Sequence, residues 1–364
     1  MTKDSITIGL VGDLSGPISD IYKTGIDTID AWVKDINAHG GIHGRKVILK
    51  IADDGLNPQN NASATRTLAS QVFAFVGSVS AVEAGGIPFI NADHIPDIGS
   101  ASTQPRRDEP TYAHLGSQGT GVSSNLAAFA KTLGVSSIAF AAFNDPSAEK
   151  SIANQVKAFQ SQGISTCYQT VVNFGAPDYT STVVAMKQHN CDAFDMQVEV
   201  SASAKVQQEV VQQNWHPKMI LDQTPSYVDK FVDLSGGAQN VEGVYIQLQN
   251  APVTDPLPEM QHFISVLKQY HPEDDPKGLF AIGNWADALT FAKALDSLGD
   301  NPTRSGLMSA LANIHNYDAG GIVPPDSPMQ RTVNPCMVMV QYRSGKAVRA
   351  FPSSGFDCSG TIFG

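Results

Sequence analysis

The residues with the most evident potential for chemistry lie near the amino terminus, where glycines follow an apolar run and two histidines come four positions apart. Gly9, Gly12 and Gly16 resemble part of a phosphate loop, but they match neither G-x-G-x-x-G nor a Walker motif with its lysine. His39 and His43 are separated by two glycines, so they do not share a helical face as paired zinc ligands would. The sequence contains no H-E-x-x-H and no G-x-S-x-G elbow. We therefore expect no enzyme, no metal centre and no cofactor.

Composition and charge limit the classes of protein to which this chain could belong. The chain has 364 residues, of which 42% are hydrophobic, so it is long enough for two domain cores. Its formal net charge is −11, and the 24 Lys and Arg residues are scattered rather than gathered into a stripe that neutralises phosphates. We therefore expect no nucleic-acid partner. No window approaches the roughly 18 to 20 consecutive apolar residues that cross a bilayer.

Strand-like and helical segments alternate along the first third of the chain. Apolar, β-branched runs predict strands at Ile6–Val11, Lys46–Ala52, Phe73–Val76 and Ile95–Gly99. Helical spacing of apolar residues predicts helices at Gly25–Asn37, Asn60–Ser70 and Ser80–Ile87. Such alternation indicates an α/β fold whose mainly parallel sheet is covered by helices on both faces.

The same alternation restarts after the glycine-rich segment 116–121. It predicts strands at Ser137–Phe143, Thr166–Val172, Asp192–Val198, Met219–Leu221 and Gly243–Leu248, with helices at Val122–Leu133, Ser147–Gln162, Tyr179–His189 and Ala202–Asn214. Three further helices follow without new strands, at Glu259–Tyr270, Asn284–Leu298 and Arg304–Ala312, and we expect them to pack on the first α/β unit. The tail then predicts a hairpin, Met337–Tyr342 and Lys346–Phe351, around Arg343-Ser344-Gly345.

Four cysteines fall as two sequence-local pairs, Cys167 with Cys191 and Cys336 with Cys358. No C-x-x-C, zinc-ligand or catalytic context surrounds them, so we interpret them as two disulfides of an exported protein. Four buried thiols are the alternative. The first residues enter a strand without the zones of a signal peptide, which indicates either a cytoplasmic protein or a leader replaced by an initiator Met. The cysteines favour export, to the periplasm or to the outer face of the cell membrane.

Two segments of the first α/β unit resemble one known family. The letters GLVGDLSGP at 9–17 are followed by DINAHGGIHGRKV at 35–47 and then by Asp53-Asp54. These blocks are similar to those of the periplasmic branched-chain amino-acid binding proteins, which have the type I periplasmic binding fold. The element order agrees with that family over essentially the whole chain.

The resemblance implies two doubly wound, parallel-sheet lobes joined by three hinge crossovers, with a ligand bound between the lobes. The crossovers would lie near Ser117–Gly121, Gln249–Pro256 and Val323–Pro335. Lobe 1 would then comprise residues 1–120 and 250–330, and lobe 2 residues 121–249 and 331–364. Loops at the carboxyl ends of the strands would face the ligand.

In lobe 1 the family places donors for a ligand carboxylate directly after two strands. The resemblance transfers this role to Ser78 and Ser80 after the third strand, and to Ala101, Ser102 and Thr103 after the fourth. Each has an ordinary alternative, because serine caps helices and Ser/Thr clusters form turns.

In lobe 2 the resemblance weakens. The resemblance assigns ligand-facing positions to Asn144 and Gln223, but the aromatic residue expected after Asn144 is absent. The acidic residue that holds an α-ammonium in that family would fall near Gln223-Thr224, where there is no carboxylate, although Asp222 is adjacent. Glu199 ends a strand and could accept from an amine or hydroxyl, or it could be a solvated surface residue. Tyr22 and Trp285 are candidate aromatic walls, with core packing as the alternative.

These observations predict a monomeric solute-binding protein that captures a small carboxylate, either an amino acid or an organic or aromatic acid, and delivers it to an ABC-transporter permease. The missing ammonium partner shifts the expectation toward an acid without an α-amine. A ligand-sensing domain of a receptor or regulator is the alternative function, and an enzyme that uses the cleft is a third.

Overall fold

The computed structural model describes residues 1–16, 18–118, 121–144, 146–173 and 175–364. For residues 146 and 147 it describes the backbone only. The chain divides into two compact units, unit 1 from Met1–Gly119 and Pro256–Thr332, and unit 2 from Thr120–Asp255 and Val333–Gly364. Residues 250–255 belong to unit 2, whereas the sequence-based division puts them in lobe 1. Residues 119 and 120, which belong to the first expected crossover, Ser117–Gly121, lie outside the described residues.

Unit 1 is built on a five-stranded parallel sheet with the strand order β2-β1-β3-β4-β5. Its strands are β1 Ser5–Gly12, β2 Lys46–Asp53, β3 Ala74–Val76, β4 Asp97–Ile98 and β5 Tyr112–Ala113. Its helices are α1 Ser19–Ala38, α2 Pro58–Ala69, α3 Ile87–Ala92, α4 Gln104–Arg107, α10 Pro258–Tyr270, α11 Ala281–Asp296 and α12 Arg304–Ala312. The α10 and α11 helices pack against α1, so the late helices belong to the first sheet's helical layers.

Helices cover both faces of the sheet of unit 1, and its interior strand β1 is accordingly apolar on both faces. In β1, Ile8 and Leu10 are fully buried on one face and Val11 is buried on the other. Continuous apolar runs of this kind are typical of parallel strands between two helical layers. The sequence-based prediction of an α/β class is confirmed.

The helix predicted over Ser80–Ile87 is wrong. A 3₁₀ turn spans Glu83–Gly85 and α3 begins only at Ile87. Here the chain runs against α2: a Cβ on Gly85 would lie 2.3 Å from the Pro58 carbonyl oxygen, and one on Gly86 would lie 2.3 Å from Thr65 Oγ1. The two glycines therefore permit a close approach of backbones that a regular helix would not make.

Unit 2 contains a seven-stranded sheet with the order β13-β12-β11-β10-β9-β7-β8, in which β12 is antiparallel to both of its neighbours, β11 and β13. Its strands are β7 Ser137–Phe143, β8 Ser165–Val172, β9 Ala193–Gln197, β10 Met219–Asp222, β11 Val244–Leu248, β12 Val338–Arg343 and β13 Lys346–Phe351, and a separate pair joins β6 Val122–Ser123 to β14 Ile362–Phe363. Its helices are α5 Asn125–Thr132, α6 Pro146–Ser161, α7 Thr180–Gln188, α8 Val200–Gln212 and α9 Lys230–Leu234.

The predicted tail hairpin is confirmed as β12 and β13. Ser344 and Gly345 turn the chain with φ of 50° and 76°, the left-handed geometry of a tight hairpin. The strand pair β6–β14 was not predicted, because two-residue strands carry no periodicity.

Both expected disulfides are present, Cys167–Cys191 and Cys336–Cys358, with Cα atoms 5.7 Å and 3.9 Å apart. The second closes a loop that contains the whole β12–β13 hairpin and so ties the carboxyl-terminal segment to the sheet. Among the described residues, no helix combines the length and the apolar character needed to cross a membrane.

Candidate functional site

The two serines after β3 hold the loop in place. Ser78 Oγ accepts a hydrogen bond from the Val11 amide at 3.1 Å, which ties the loop to the end of β1. Ser80 is fully buried; its hydroxyl donates to Asp13 Oδ1 at 3.3 Å and accepts from the Val82 amide at 3.0 Å. Both hydroxyls are therefore engaged inside unit 1, and Ser80 stabilises a turn rather than capping a helix.

In the loop after β4, hydrogen bonds hold Ala101 and Thr103 but not the Ser102 hydroxyl. Thr103 donates twice to Glu83 Oε1, from its amide at 2.6 Å and from Oγ1 at 3.0 Å, and the Ala101 amide donates to the Tyr112 hydroxyl at 3.2 Å. Ser102 differs from both neighbours: its Oγ is buried and forms no hydrogen bond of good geometry with the described residues. A buried hydroxyl without a partner is unfavourable, so this position is suited to meet a polar group of a ligand.

Tyr22 lies next to this hydroxyl. The Tyr22 ring is buried and stacks on Phe280, with ring centroids 5.3 Å apart. Burial raises the pKa of Tyr22, and the neighbouring Ser102 side chain opposes that shift. Tyr22 and Ser102 thus form one small patch with an apolar ring and two hydroxyls.

Trp285 lies elsewhere, in the packing between α10 and α11. Its ring is fully buried, packs on Phe263 and donates from Nε1 to Glu259 Oε1 at 2.7 Å. This environment fits the core-packing alternative for Trp285.

Arg106, which the sequence did not single out, organises both loops. It is almost fully buried and forms a bidentate ion pair with Asp97, at 2.7 and 2.8 Å. Its Nη1 also donates to Glu83 Oε2 and to the carbonyls of Ser78 and Ser100. The guanidinium thus fixes the ends of β3 and β4 relative to each other, but in the letters QPRR nothing distinguishes it from the neighbouring surface arginine.

A pair of buried carboxyl groups lies at the ends of β1 and β2. Asp13 and Asp54 are both fully buried. Burial, together with a hydrogen bond to Asp54, raises the pKa of Asp13 to about 7. Asp13 also accepts from the Leu56 and Ala81 amides at 3.1 and 3.0 Å, so it joins three loops. In the sequence, Asp13 and Asp54 were noted only as members of the segments that resemble the family.

In unit 2, Glu199 is the amino-terminal cap of α8. Its carboxylate accepts from the amides of Ser201 and Ala202, the latter at 2.9 Å. Such a cap satisfies otherwise unpaired amides at a helix start. Glu199 therefore has a structural role that neither sequence-based alternative included. Asn144 is exposed at the end of β7.

Gln223 covers two buried carboxyl groups at the ends of β9 and β10. Its side-chain amide donates to Asp195 Oδ1 at 2.7 Å, and its backbone amide donates to Asp222 Oδ1 at 2.8 Å. Burial raises the pKa of Asp195 to about 6 and that of Asp222 to about 7. Asp222 also accepts from Ser203 Oγ at 2.6 Å. Asp222 is only 1% exposed.

Comparison with known proteins places this chain in a family. The family model described as periplasmic binding protein matches residues 5–347, and the chain belongs to that family. The family consists of binding proteins rather than enzymes.

Two curated relatives match a shorter stretch. The Leu/Ile/Val-binding protein BraC3 of Rhizobium johnstonii and the Leu/Ile/Val-binding protein homolog 3 of Brucella melitensis are each 40% identical over 74 residues. That stretch covers 20% of this chain and 19% of each relative, so the match spans about a fifth of their length.

Solved structures match the whole fold at low identity. The substrate-binding protein LivJ of Streptococcus pneumoniae, in complex with isoleucine, has a TM-score of 0.78 at 17% identity and covers 95% of this chain and 100% of its own. A fatty acid ABC transporter substrate-binding protein from Thermomonospora curvata has a TM-score of 0.77 at 18% identity, covering 99% and 94%. These matches confirm the type I periplasmic binding fold.

Proposed function

We propose that this chain is the extracytoplasmic solute-binding protein of an ABC importer and that it binds a small carboxylate-containing ligand. The ligand would bind between the two units and hinge closure would follow, as the family fold implies, before the loaded protein docks on a membrane permease. Ligand binding shifts such an equilibrium only if the closed state binds more tightly. Family membership and the two disulfides support this role.

One observation carries the ligand class: the buried Ser102 hydroxyl, which forms no hydrogen bond of good geometry with the described residues and lies beside Tyr22 in the loop after β4. Hydroxyls that donate into an apolar setting suit an anionic oxygen and require no basic side chain. Among the similar structures, one is a complex with isoleucine and another is the substrate-binding protein of a fatty acid ABC transporter, and isoleucine and fatty acids both carry a carboxylate.

The carboxyl groups of unit 2 argue against an α-ammonium site at Gln223. Asp195 and Asp222 accept hydrogen bonds from Gln223 and Ser203, although Asp222 Oδ2 accepts none of good geometry from the described residues. Burial raises the pKa of both carboxyl groups, so neither carries the full negative charge that an ammonium partner requires. An acid without an α-amine is therefore the proposed substrate class.

Three compounds of nearly equal shape test this directly: leucine, 4-methyl-2-oxopentanoate and leucinamide, measured by thermal shift and calorimetry. The oxo acid should bind most tightly and leucinamide should not bind. A ligand at a hundredfold excess over its Kd should stabilise the protein by about 2.7 kcal/mol. Mass spectrometry of material released by denaturation extends the test to aromatic and longer acids. A screen in which no carboxylate shifts the unfolding curve would refute the proposal.

The Ser102→Ala variant tests the site. It should weaken carboxylate binding about tenfold, as expected for a hydrogen bond to a charged group. Stability should stay within about 0.5 kcal/mol, because the hydroxyl forms no hydrogen bond of good geometry with the described residues. The matched control is Ser63→Ala on α2, where the hydroxyl donates only to the Asn60 carbonyl. Equal affinities for both variants would exclude Ser102 as a ligand contact.

A further inference from the structure

A cluster of metal-ligand side chains lies in unit 1, where α1 meets the segment that follows α10. Asp27 comes from α1, and His271 and Asp274 come from the segment after α10. One potential ligand atom from each residue lies within 4.8 Å of the other two. All three are mostly buried, with side chains 13%, 16% and 7% exposed.

The imidazole of His271 is oriented for ligation. Its Nε2 lies 2.8 Å from Asp30 Oδ2, so Nε2 carries the proton and donates to that carboxylate. In the neutral imidazole this leaves Nδ1, 3.8 Å from Asp27 Oδ2, as the nitrogen with a free lone pair. A carboxylate that holds the second nitrogen is the usual support of a metal-binding histidine, because it fixes the tautomer and raises the basicity of the ligand.

Asp274 supplies an observation that is independent of this geometry. Its side chain is 93% buried, since only 7% is exposed, and Oδ2 accepts no hydrogen bond of good geometry from the described residues. Burial and the adjacent Asp27 carboxyl raise the pKa of Asp274 to about 6, as expected where two carboxyl groups lie together. A buried carboxylate oxygen without a donor is costly unless a cation neutralises it. The partner of Oδ1, Lys23 Nζ, is distant at 3.4 Å.

Lys23 shows that the cluster attracts a cation. Its ammonium contacts Asp27 and Asp274 together, with Glu273 at 3.8 Å. The Lys23 side chain is 42% exposed and has a flexible stem, so it can move into solvent at little cost. It therefore acts as a replaceable counter-ion rather than as a fixed part of the core.

The geometry points to a binding site for a divalent first-row transition metal, with Zn²⁺ as the best match, formed by Asp27, His271 Nδ1 and Asp274 and supported by Asp30. Two carboxylate oxygens and one imidazole are a recognised zinc donor set, and solvent completes the coordination. Metal bonds of about 2.0–2.2 Å place tetrahedral ligands roughly 3.4 Å apart, so modest side-chain rotation closes the site. The metal would link α1 to the segment after α10. Imidazole ligation disfavours Mg²⁺ and Ca²⁺.

The test uses the full-length, ligand-free protein, which makes its outcome independent of the proposed transport function. Zn²⁺ binding is measured by calorimetry in chelator-buffered solution, and Co²⁺ absorption reports the ligand set. We expect one site whose Kd rises at least tenfold in Asp274→Asn and in His271→Gln. The matched control, His216→Gln, removes an exposed histidine of unit 2 and should leave the Kd unchanged.

The Lys23→Gln variant keeps the test decisive if the ligand variants fail to fold. Removal of the competing ammonium should tighten Zn²⁺ binding several-fold. The inference is overturned if the parent shows no saturable Zn²⁺ site, if Asp274→Asn and His271→Gln bind like the parent, or if Lys23→Gln binds more weakly. Tighter binding of Mg²⁺ or Ca²⁺ than of Zn²⁺ would overturn the assignment of the metal class.

Discussion

Replacement of Arg106 by methionine should destabilise unit 1 by about 3–5 kcal/mol, the range for removing one partner of a buried ion pair. The guanidinium makes five hydrogen bonds, two to Asp97, one to Glu83 and two to backbone carbonyls. Methionine fills a similar volume but leaves Asp97, which is 0% exposed, as an uncompensated buried charge. Glu83 suffers less, because Thr103 still donates to it twice.

The neighbouring residue provides a matched control. Arg107 makes one hydrogen bond, from Nη2 to the Ala101 carbonyl at 2.8 Å, and is only partly buried. Arg107→Met should therefore cost less than about 1 kcal/mol, in line with surface interactions. The double variant Arg106→Met/Asp97→Asn should recover part of the loss, because it removes the orphaned charge.

Urea unfolding followed by tryptophan fluorescence measures these differences in unit 1. Of the three tryptophans, Trp32 and Trp285 lie in unit 1 and Trp215 in unit 2. A Trp215→Phe background therefore makes the signal specific for unit 1. The reasoning is refuted if Arg106→Met costs less than about 1 kcal/mol, or no more than Arg107→Met. Loss of carboxylate affinity should accompany the destabilisation, since Arg106 positions the loop that carries Ser102.

Three further perturbations have defined outcomes. Folding raises the pKa of Asp13 from 3.8 to about 7, so between these pH values the folded protein holds a proton that the unfolded chain has released. The free energy of unfolding should therefore fall as pH rises from about 4 to about 7. Asp13→Asn should flatten that slope, and an unchanged slope would exclude Asp13 as its source. Glu199→Ala should cost about 1 kcal/mol through loss of the α8 cap without changing ligand affinity, whereas a large affinity loss at constant stability would identify Glu199 as a ligand contact. Replacement of Cys336 and Cys358 by serine opens a loop with a sequence separation of 22 and should lower stability by about 3 kcal/mol; chemical denaturation with equal midpoints before and after would contradict this.

The serine and glutamate candidates show where prediction of the site was incomplete. Position after a strand correctly marked Ser80 and Glu199 as residues of the strand-end loops. It did not predict what each side chain contacts: Ser80 is directed at Asp13, and Glu199 caps its own helix. Ser102 and Thr103 belong to the same Ser/Thr cluster. They differ because Thr103 donates to Glu83, whereas the Ser102 hydroxyl has no such acceptor among the described residues.

The sequence alone determined the alternation of strands and helices, the tail hairpin and the two local cysteine pairs, because each depends on residues close together in the chain. The segments at 9–17 and 35–47 resemble a known family, and this resemblance predicted the fold. Only the tertiary structure decided which polar groups are buried together, as with Arg106 and Asp97, or Asp27 and His271. Those pairs join elements that local periodicity cannot relate, and their energetics depend on burial and on partners that exist only after the chain has folded.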